Sequence, residues 1–505
     1  MKKPQPVALA TLIGAHTAGP DGYYRLAVNE QTWRNLAAGC AGGLQDLFAL
    51  WADSGSVHMA LGSPALRLWA IVSVPIKRGA YPSVAQYHAP AMRLERTLRD
   101  LHGIEPQGLP DLRNWIDHGK WPEPPPARKR GWQVPQTAYA FLPVEGEGLH
   151  QIPVGPVHAS IIEPGHFRFT ANGETVVRLE ERLGYVHKGI EALCRGASLE
   201  TAGSLVARIS GDSTVAYSYA FSLAVEAALQ WWPPYRATLI RGVMAELERL
   251  SHHVNDVGAI CNDASVVVLH ARCALLREEI LQTAARCFGH RLMMDRIVPG
   301  GVTTDLLPDA AAAIETLLAR LTKGFEAVVR VYDEFPSLQD RTVTTGVVKP
   351  ALAARFAAGG HVGRASGRAF DTRKARPYAP YEEMDFVMAE RSEGDVNARV
   401  WVRIEEVRSS IALIRQMLAD LAPGPLTAPM PDRRACEAAA MAESFRGDIF
   451  VDVRLGTDGK VAHIHARDPS CFQWPLLEAA IDGNIVADFP LCNKSFNCSY
   501  SGHDM

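Results

Sequence analysis

Two imidazoles and a carboxylate fall close together in Gly155-Pro-Val-His158 and Glu163-Pro-Gly-His166. Histidine and glutamate readily titrate or hold a ligand, and the surrounding Pro and Gly keep the chain in loops where the backbone can approach one. The local pattern fits a pair of turn histidines with a capping glutamate equally well. Arg208-Ile-Ser-Gly-Asp-Ser213 precedes an apolar helix running to Leu229, so Asp212 or Ser213 is expected to cap it. Pro299-Gly300-Gly301, Gly363-Arg-Ala-Ser-Gly367 and Asp371-Thr-Arg373 combine turn glycines with clustered Arg and Asp, which reads as turns and a surface ion-pair network. Arg467-Asp-Pro-Ser-Cys471 leads towards the tail from Asp488 to Met505, whose apolar and aromatic content marks it as packed. The nine cysteines include no C-x-x-C pair, so they form no visible zinc or iron-sulfur cradle and read as reduced thiols.

Several elements must position these residues. Val57, Met59 and Leu61, then Leu66 to Val74, alternate at period 2 as half-buried strands do. A charged helix from Met92 to Leu101 is expected to stop at Gly103. Trp121-Pro-Glu-Pro-Pro-Pro-Ala-Arg-Lys-Arg130 reads as an extended linker. The boundaries follow as an α+β domain over 1–117, a Pro-rich linker over 118–145, and a mainly α-helical bundle domain with short β sections over 146–505. In the last, short strands are expected between Ile152 and Val177. Apolar stripes at Leu239 to Val254, Ile314 to Val328 and Ile404 to Leu418 step by three and four, as core-facing helices require. A β return over Ile449 to Arg454 and Val461 to His465 turns at Gly456-Thr-Asp-Gly459.

Composition excludes some classes. With 47% apolar and 21% charged residues in 505, the chain is globular and long enough for several units. The 52 basic and 55 acidic side chains leave a formal charge of −3, so no overall positive field invites nucleic acid. No apolar run reaches the roughly 18 residues a membrane span needs. Pro4 and Pro6 interrupt the segment that imitates a signal peptide, so export is not expected. Residue chemistry alone leads to a helical protein with an α+β N-terminal domain and a polar cleft, and does not name a reaction.

At these segments the sequence resembles a known fusion. Glu95 to Arg113, with Asp100-Leu-His-Gly-Ile104 and Pro110-Asp-Leu-Arg113, is similar to the 30-kDa-type peripheral subunit of complex I. Gly155-Pro-Val-His158, Glu163-Pro-Gly-His166, Leu183-Gly-Tyr-Val-His-Lys-Gly-Ile-Glu191, Ala224-Val-Glu226, Pro299-Gly-Gly-Val302 and Asp488-Phe-Pro-Leu-Cys-Asn-Lys-Ser-Phe496 resemble the 49-kDa-type subunit. They are closer still to the large subunit of hydrogenase-4 and formate hydrogenlyase.

The resemblance implies a redox subunit and also marks departures. In those hydrogenases an R-x-C-G-x-C word and a D-P-C-x-x-C word supply four thiolates to a nickel-iron centre. By this comparison the positions read Ser210 and Ser213, then Ser470 and Gln473, so no nickel is expected. The tyrosine and histidine of the complex I quinone site fall at Gly211 and Ile162. Glu163 matches a proton-moving glutamate, expected to be partly desolvated in a cleft. The implied catalytic pair is Glu163 and His166, with His158, Arg208 and Asp212 lining a cleft for a quinone-like acceptor. No cofactor is assigned to this chain itself; iron-sulfur clusters are expected in a small partner subunit. Integral membrane ion-translocating subunits are further expected partners, which implies peripheral association with the cytoplasmic face of the membrane. The alternatives are a hydrogenase-4 or formate hydrogenlyase large subunit proper and a non-catalytic coupling subunit.

Overall fold

The structure, a computed structural model, describes residues 4–14, 23–63, 68–121, 139–158 and 162–505. The linker expectation over 122–130 and the strand position Leu66 lie outside these residues.

The N-terminal part is built on a four-stranded sheet ordered Tyr24–Ala27, Leu68–Pro75, Ser56–Ser63, Asp46–Ala52, the first pair parallel and the others antiparallel. Alternation sends Val57, Met59, Leu61, Val72 and Val74 into a core shared with Trp33 and Leu36 of the Glu30–Ala41 helix. The Met92–His102 helix stops where Gly103 takes φ 64°, a left-handed conformation suited to a residue without Cβ. The opposite sheet face packs Phe48, Trp51 and Trp69 against Phe370, Met441 and Phe450 of the C-terminal part.

The larger part is a helical bundle. Tyr235–Asp263 packs against Val267–Phe288 and Val396–Ala419, and Pro308–Glu334 completes the assembly. Leu239, Val243, Leu247, Leu250 and Val254 are each fully buried in its core, as are Ile314, Leu317, Ile404 and Val407. The β sections among the described residues are two three-stranded antiparallel sheets, Leu149–Val154 with His166–Asn172 and Thr175–Arg182, and Cys436–Glu443 with Asp448–Leu455 and Val461–Arg467, and the short antiparallel pair Ile297–Val298 and Gly301–Val302.

The Arg and Asp cluster expected at the surface is buried instead. Arg364 is 0% exposed and bonds Glu406, Glu443 and Asp371, while Arg373 bonds Asp371 and Glu246. Besides Asp371, the cluster's partners Glu246, Glu406 and Glu443 come from distant segments, which a local Arg/Asp pattern does not display. The charges can be buried because each is paired and hydrogen-bonded.

The tail is packed as its composition implies. The Asp504 carboxylate accepts from Gly184 N at 2.9 Å and Val186 N at 3.0 Å, tying the C-terminal end to the Leu183–Glu191 loop.

Candidate functional site

The site is assembled where the Arg208–Ser213 loop, the Phe445–Gly447 turn and the tail meet. Ser213 precedes the Thr214–Leu229 helix but does not cap it; the Glu248 carboxylate accepts from Val215 N at 2.8 Å and Ala216 N at 3.1 Å instead. Asp212 is thereby free for a different partner. Arg446 bonds both of its oxygens, and also reaches Ser213 Oγ at 3.1 Å. Partial withdrawal from water alone would raise the Asp212 carboxyl, but the Arg446 guanidinium outweighs this and holds it well below the usual carboxylate range.

Ser210 is buried beside this pair. Its hydroxyl donates to Asp212 Oδ1 at 2.7 Å, and its oxygen lies 2.7 Å from Ser499 Oγ. A serine has one hydroxyl proton, so Ser499 is the donor in the second contact. By the same reasoning Ser501 donates to Ser499 Oγ at 3.5 Å. Ser499 Oγ also accepts from Gly502 N at 2.9 Å, capping the Tyr500–Asp504 helix. Gly502 cannot be larger, because a Cβ there would meet Asp468 Oδ2 at 2.4 Å.

Glu163 reaches the outer end of this row, where its Oε2 accepts from Ser501 N at 3.0 Å. The loop carrying it is held close by two glycines. A Cβ on Gly155, at φ 82°, would meet Gly165 O at 2.3 Å, and one on Gly165 would meet Tyr500 Cε1 at 2.6 Å. Glu163 itself is exposed, so this chain alone does not supply the desolvation anticipated for it.

The other expected residues divide. His158 Nε2 bonds Gly165 O at 2.8 Å, and His166 Nδ1 bonds Gly155 O at 3.2 Å, so both imidazoles clamp their own loop. Arg168 Nε donates to His166 Nε2 at 3.3 Å, which assigns the neutral tautomer, and burial lowers its pKa from the ordinary value. Arg208 turns away from the site to pair with Asp295, in a contact with Oδ2 of 2.6 Å. Ser470 lies one layer behind Ser499, its Oγ accepting from Ser499 N at 2.8 Å. Gln473 is deeper still, donating to Arg446 O at 2.8 Å and Gly359 O at 3.3 Å. Neither of the last two is in direct hydrogen-bond contact with Ser210.

Sequence reasoning thus missed Ser499, Gly502 and Arg446. The nearby thiols are poor nucleophiles and ligands as they stand: burial pushes Cys471 up to about 12 and Cys498 well above its ordinary value. Among the described residues no group of three or more His, Cys, Asp or Glu is arranged to hold a metal ion.

Comparison with known proteins assigns the chain to a class of redox subunits in which two units of complex I type are fused. Residues 44–133 match the family model of the respiratory-chain NADH dehydrogenase 30 Kd subunit, and residues 263–437 match that of the 49 Kd subunit. Formate hydrogenlyase subunit 5 of Escherichia coli is 31% identical over 87% of this chain and 79% of its own length. The carbon monoxide-induced hydrogenase of Rhodospirillum rubrum is 31% identical over 69% of this chain and 97% of its own length. Among solved structures, a chain of the membrane-bound sulfane sulfur reductase, an archaeal respiratory membrane complex, matches with a TM-score of 0.67 at 26% identity, covering 72% of this chain and 100% of that one. The chain belongs to the family of hydrogenase large subunits related to formate hydrogenlyase subunit 5 and to the NADH-quinone oxidoreductase D subunits, and is an oxidoreductase subunit. No helix among the described residues is long and apolar enough to cross a membrane.

Proposed function

We propose that this chain is the large subunit of a membrane-associated redox complex that works without nickel, passing electrons from an iron-sulfur partner to a quinone-like acceptor. The observation that carries this reading is the hydroxyl row Ser501, Ser499, Ser210 ending on Asp212, with the Glu163 carboxylate held beside its exposed end by the Ser501 backbone N–H. Hydroxyl side chains at Ser210, Ser213 and Ser499, beside the bare Gly502, form a poor donor set for nickel. Serine hydroxyls stay protonated at neutral pH and are hard, whereas nickel-iron chemistry calls for soft thiolates. The same hydroxyls suit proton movement, because each both donates and accepts.

Reducing a quinone takes two electrons and two protons. In this reading an iron-sulfur partner supplies the electrons, and Glu163 collects protons from water and hands them through solvent to the Ser501 hydroxyl; Ser501, Ser499 and Ser210 then each give up one proton as they take the next, delivering them to an acceptor bound beside Ser210 while Asp212 stays ionised. Asp212, held ionised by Arg446, fixes the direction in which Ser210 points its proton. Membrane ion-translocating subunits then use the free energy released, with the complex at the cytoplasmic face of the membrane. His158 and His166 serve as positioning residues that hold the Glu163 loop against the tail.

A second acceptor is favoured by one comparison: the structural neighbour is described as a sulfane sulfur reductase, so a sulfur chain is the other substrate to try. The test uses the complex purified with its partners. Elemental analysis should find iron but no stoichiometric nickel on this chain, and reduced complex should turn over with a short-chain quinone. Stoichiometric nickel with hydrogen evolution would assign it as a hydrogenase proper. Turnover only with polysulfide would replace the acceptor, and no turnover of any kind would leave a coupling subunit.

A further inference from the structure

Away from the hydroxyl row, a cavity of about 570 Å³ opens at the junction between the N-terminal sheet and the C-terminal Cys436–Arg467 sheet. Its polar wall carries Arg195, Arg454, His102 and His463, with one carboxylate, Asp53.

The charges decide what such a cavity can hold. Asp53 is saturated: Oδ1 accepts from Gly55 N at 2.8 Å and Ser56 N at 2.9 Å, and Oδ2 from Arg454 at 2.9 Å. His58 stands 3.6 Å from the same Oδ2. Asp53 and Arg454 therefore largely neutralise one another. Arg195 follows the Ile190–Cys194 helix at the exposed mouth of the cavity, and among the described residues its guanidinium has neither a hydrogen bond nor an ion pair. It is the uncompensated charge of the cavity. Burial lowers the pKa of His102 to about 4 and depresses that of His463, so both rings are neutral hydrogen-bonding groups at pH 7. His463 Nε2 is spent on Ala52 O at 3.3 Å. Ile76, Ile104 and Ala462 give the wall an apolar side.

We infer that this junction cavity binds a small organic anion, its acid group on Arg195 and its apolar part against Ile76 and Ile104. The volume lies in the range of small-molecule sites, and junctions between structural units are where such sites favour forming. A guanidinium recognises carboxylate and phosphate alike, so the shared chemistry is a compact oxyanion on an organic body. Because the wall is contributed by both units, the ligand would tie the N-terminal sheet to the C-terminal one, giving a metabolite a place to act that is separate from the redox site.

Isothermal titration of the purified full-length chain in low-salt buffer tests this with two probes, succinate for the carboxylates and adenosine 5′-monophosphate for the phosphate esters. At least one should bind saturably. Arg195→Glu should weaken that binding about tenfold or more, the scale of a lost charge-assisted hydrogen bond, with Arg195→Lys in between. The probe that binds identifies the acid class. Since Arg195 is exposed and has no side-chain partner among the described residues, both variants should melt at the wild-type temperature without ligand. Absence of saturable binding by either probe overturns the assignment, as does binding that Arg195→Glu leaves unchanged.

Discussion

The Ser210 hydroxyl oxygen lies 2.7 Å from the Ser499 hydroxyl oxygen, although 289 residues separate them in the chain. The contact joins the loop before the Thr214–Leu229 helix to the last turn of the protein, and it is the middle link of a row leading from Ser501 to Asp212. Both serines are nearly inaccessible, so each hydroxyl must find its partner within the protein.

Cutting that row at its centre should separate transport from structure. Ser499→Ala removes the link to Ser210 and also the cap on Gly502 N, which costs about 1 kcal/mol of stability. Turnover of the assembled complex should fall by about 10²-fold, the scale of a lost proton-transfer group, and the solvent deuterium isotope effect should rise. Ser470→Ala, one layer behind, should lose comparable stability through Ser499 N but keep its isotope effect. Equal turnover and isotope effects in the two variants would dismiss the row as a path.

Burial of Glu248 makes stability depend on pH. Desolvation pushes its carboxyl up to about 8 despite the two backbone N–H groups it accepts from. Between the ordinary carboxylate range and pH 8 the folded chain keeps a proton that the unfolded chain releases, so this contribution to stability falls as pH rises. The slope is up to about 1.4 kcal/mol per pH unit. Glu248→Gln should therefore unfold with a flatter pH profile than the wild type, the difference growing from pH 5 to 8 and levelling above. Parallel urea titrations across that range measure it; profiles of identical slope would contradict the assignment.

How far these features were legible in the sequence depends on whether their cause was local. The stripe Leu239 to Val254 needed only a period of three and four, and it is the buried face of the Tyr235–Asp263 helix. Gly103 was legible as a stop because the left-handed residue lies directly after the last helical turn. Arg364 was misjudged because its carboxylate partners Asp371, Glu406 and Glu443 become neighbours only when helix, loop and strand are packed together. The partner of Ser210 was hidden for the same reason, and the match of Asp468-Pro-Ser470 to a known word drew attention to a residue one layer too deep.

The buried ion network should be intolerant of losing a single partner. Arg364→Ala leaves Asp371, Glu406 and Glu443 with less compensation in a site without water, for a cost of about 3–5 kcal/mol. The variant should show a markedly lower denaturation midpoint and poor recovery of soluble protein. Arg408→Ala, whose ion pair with Glu326 is exposed, should change stability by under about 1 kcal/mol. Similar losses in both would mean that burial does not set the strength of these pairs.

The last prediction concerns the entry of protons at Glu163. Its side chain is exposed and, among the described residues, makes one hydrogen bond, from Ser501 N, which an amide oxygen can also accept. Glu163→Gln should therefore fold and assemble normally, while turnover per assembled complex falls by roughly 10²-fold because the titratable proton is gone. A glutamate that only pins the tail gives the opposite pattern, lower thermal stability with ordinary turnover. Exposure allows a further arm. In Glu163→Ala a small acid from solution can approach the outer end of the row, so added acetate should restore part of the activity in proportion to its acid form. Acetate should do nothing for Ser499→Ala, where the break lies inside the protein. Rescue of both variants, or of neither, would separate Glu163 from the serine row and leave it as a tail contact.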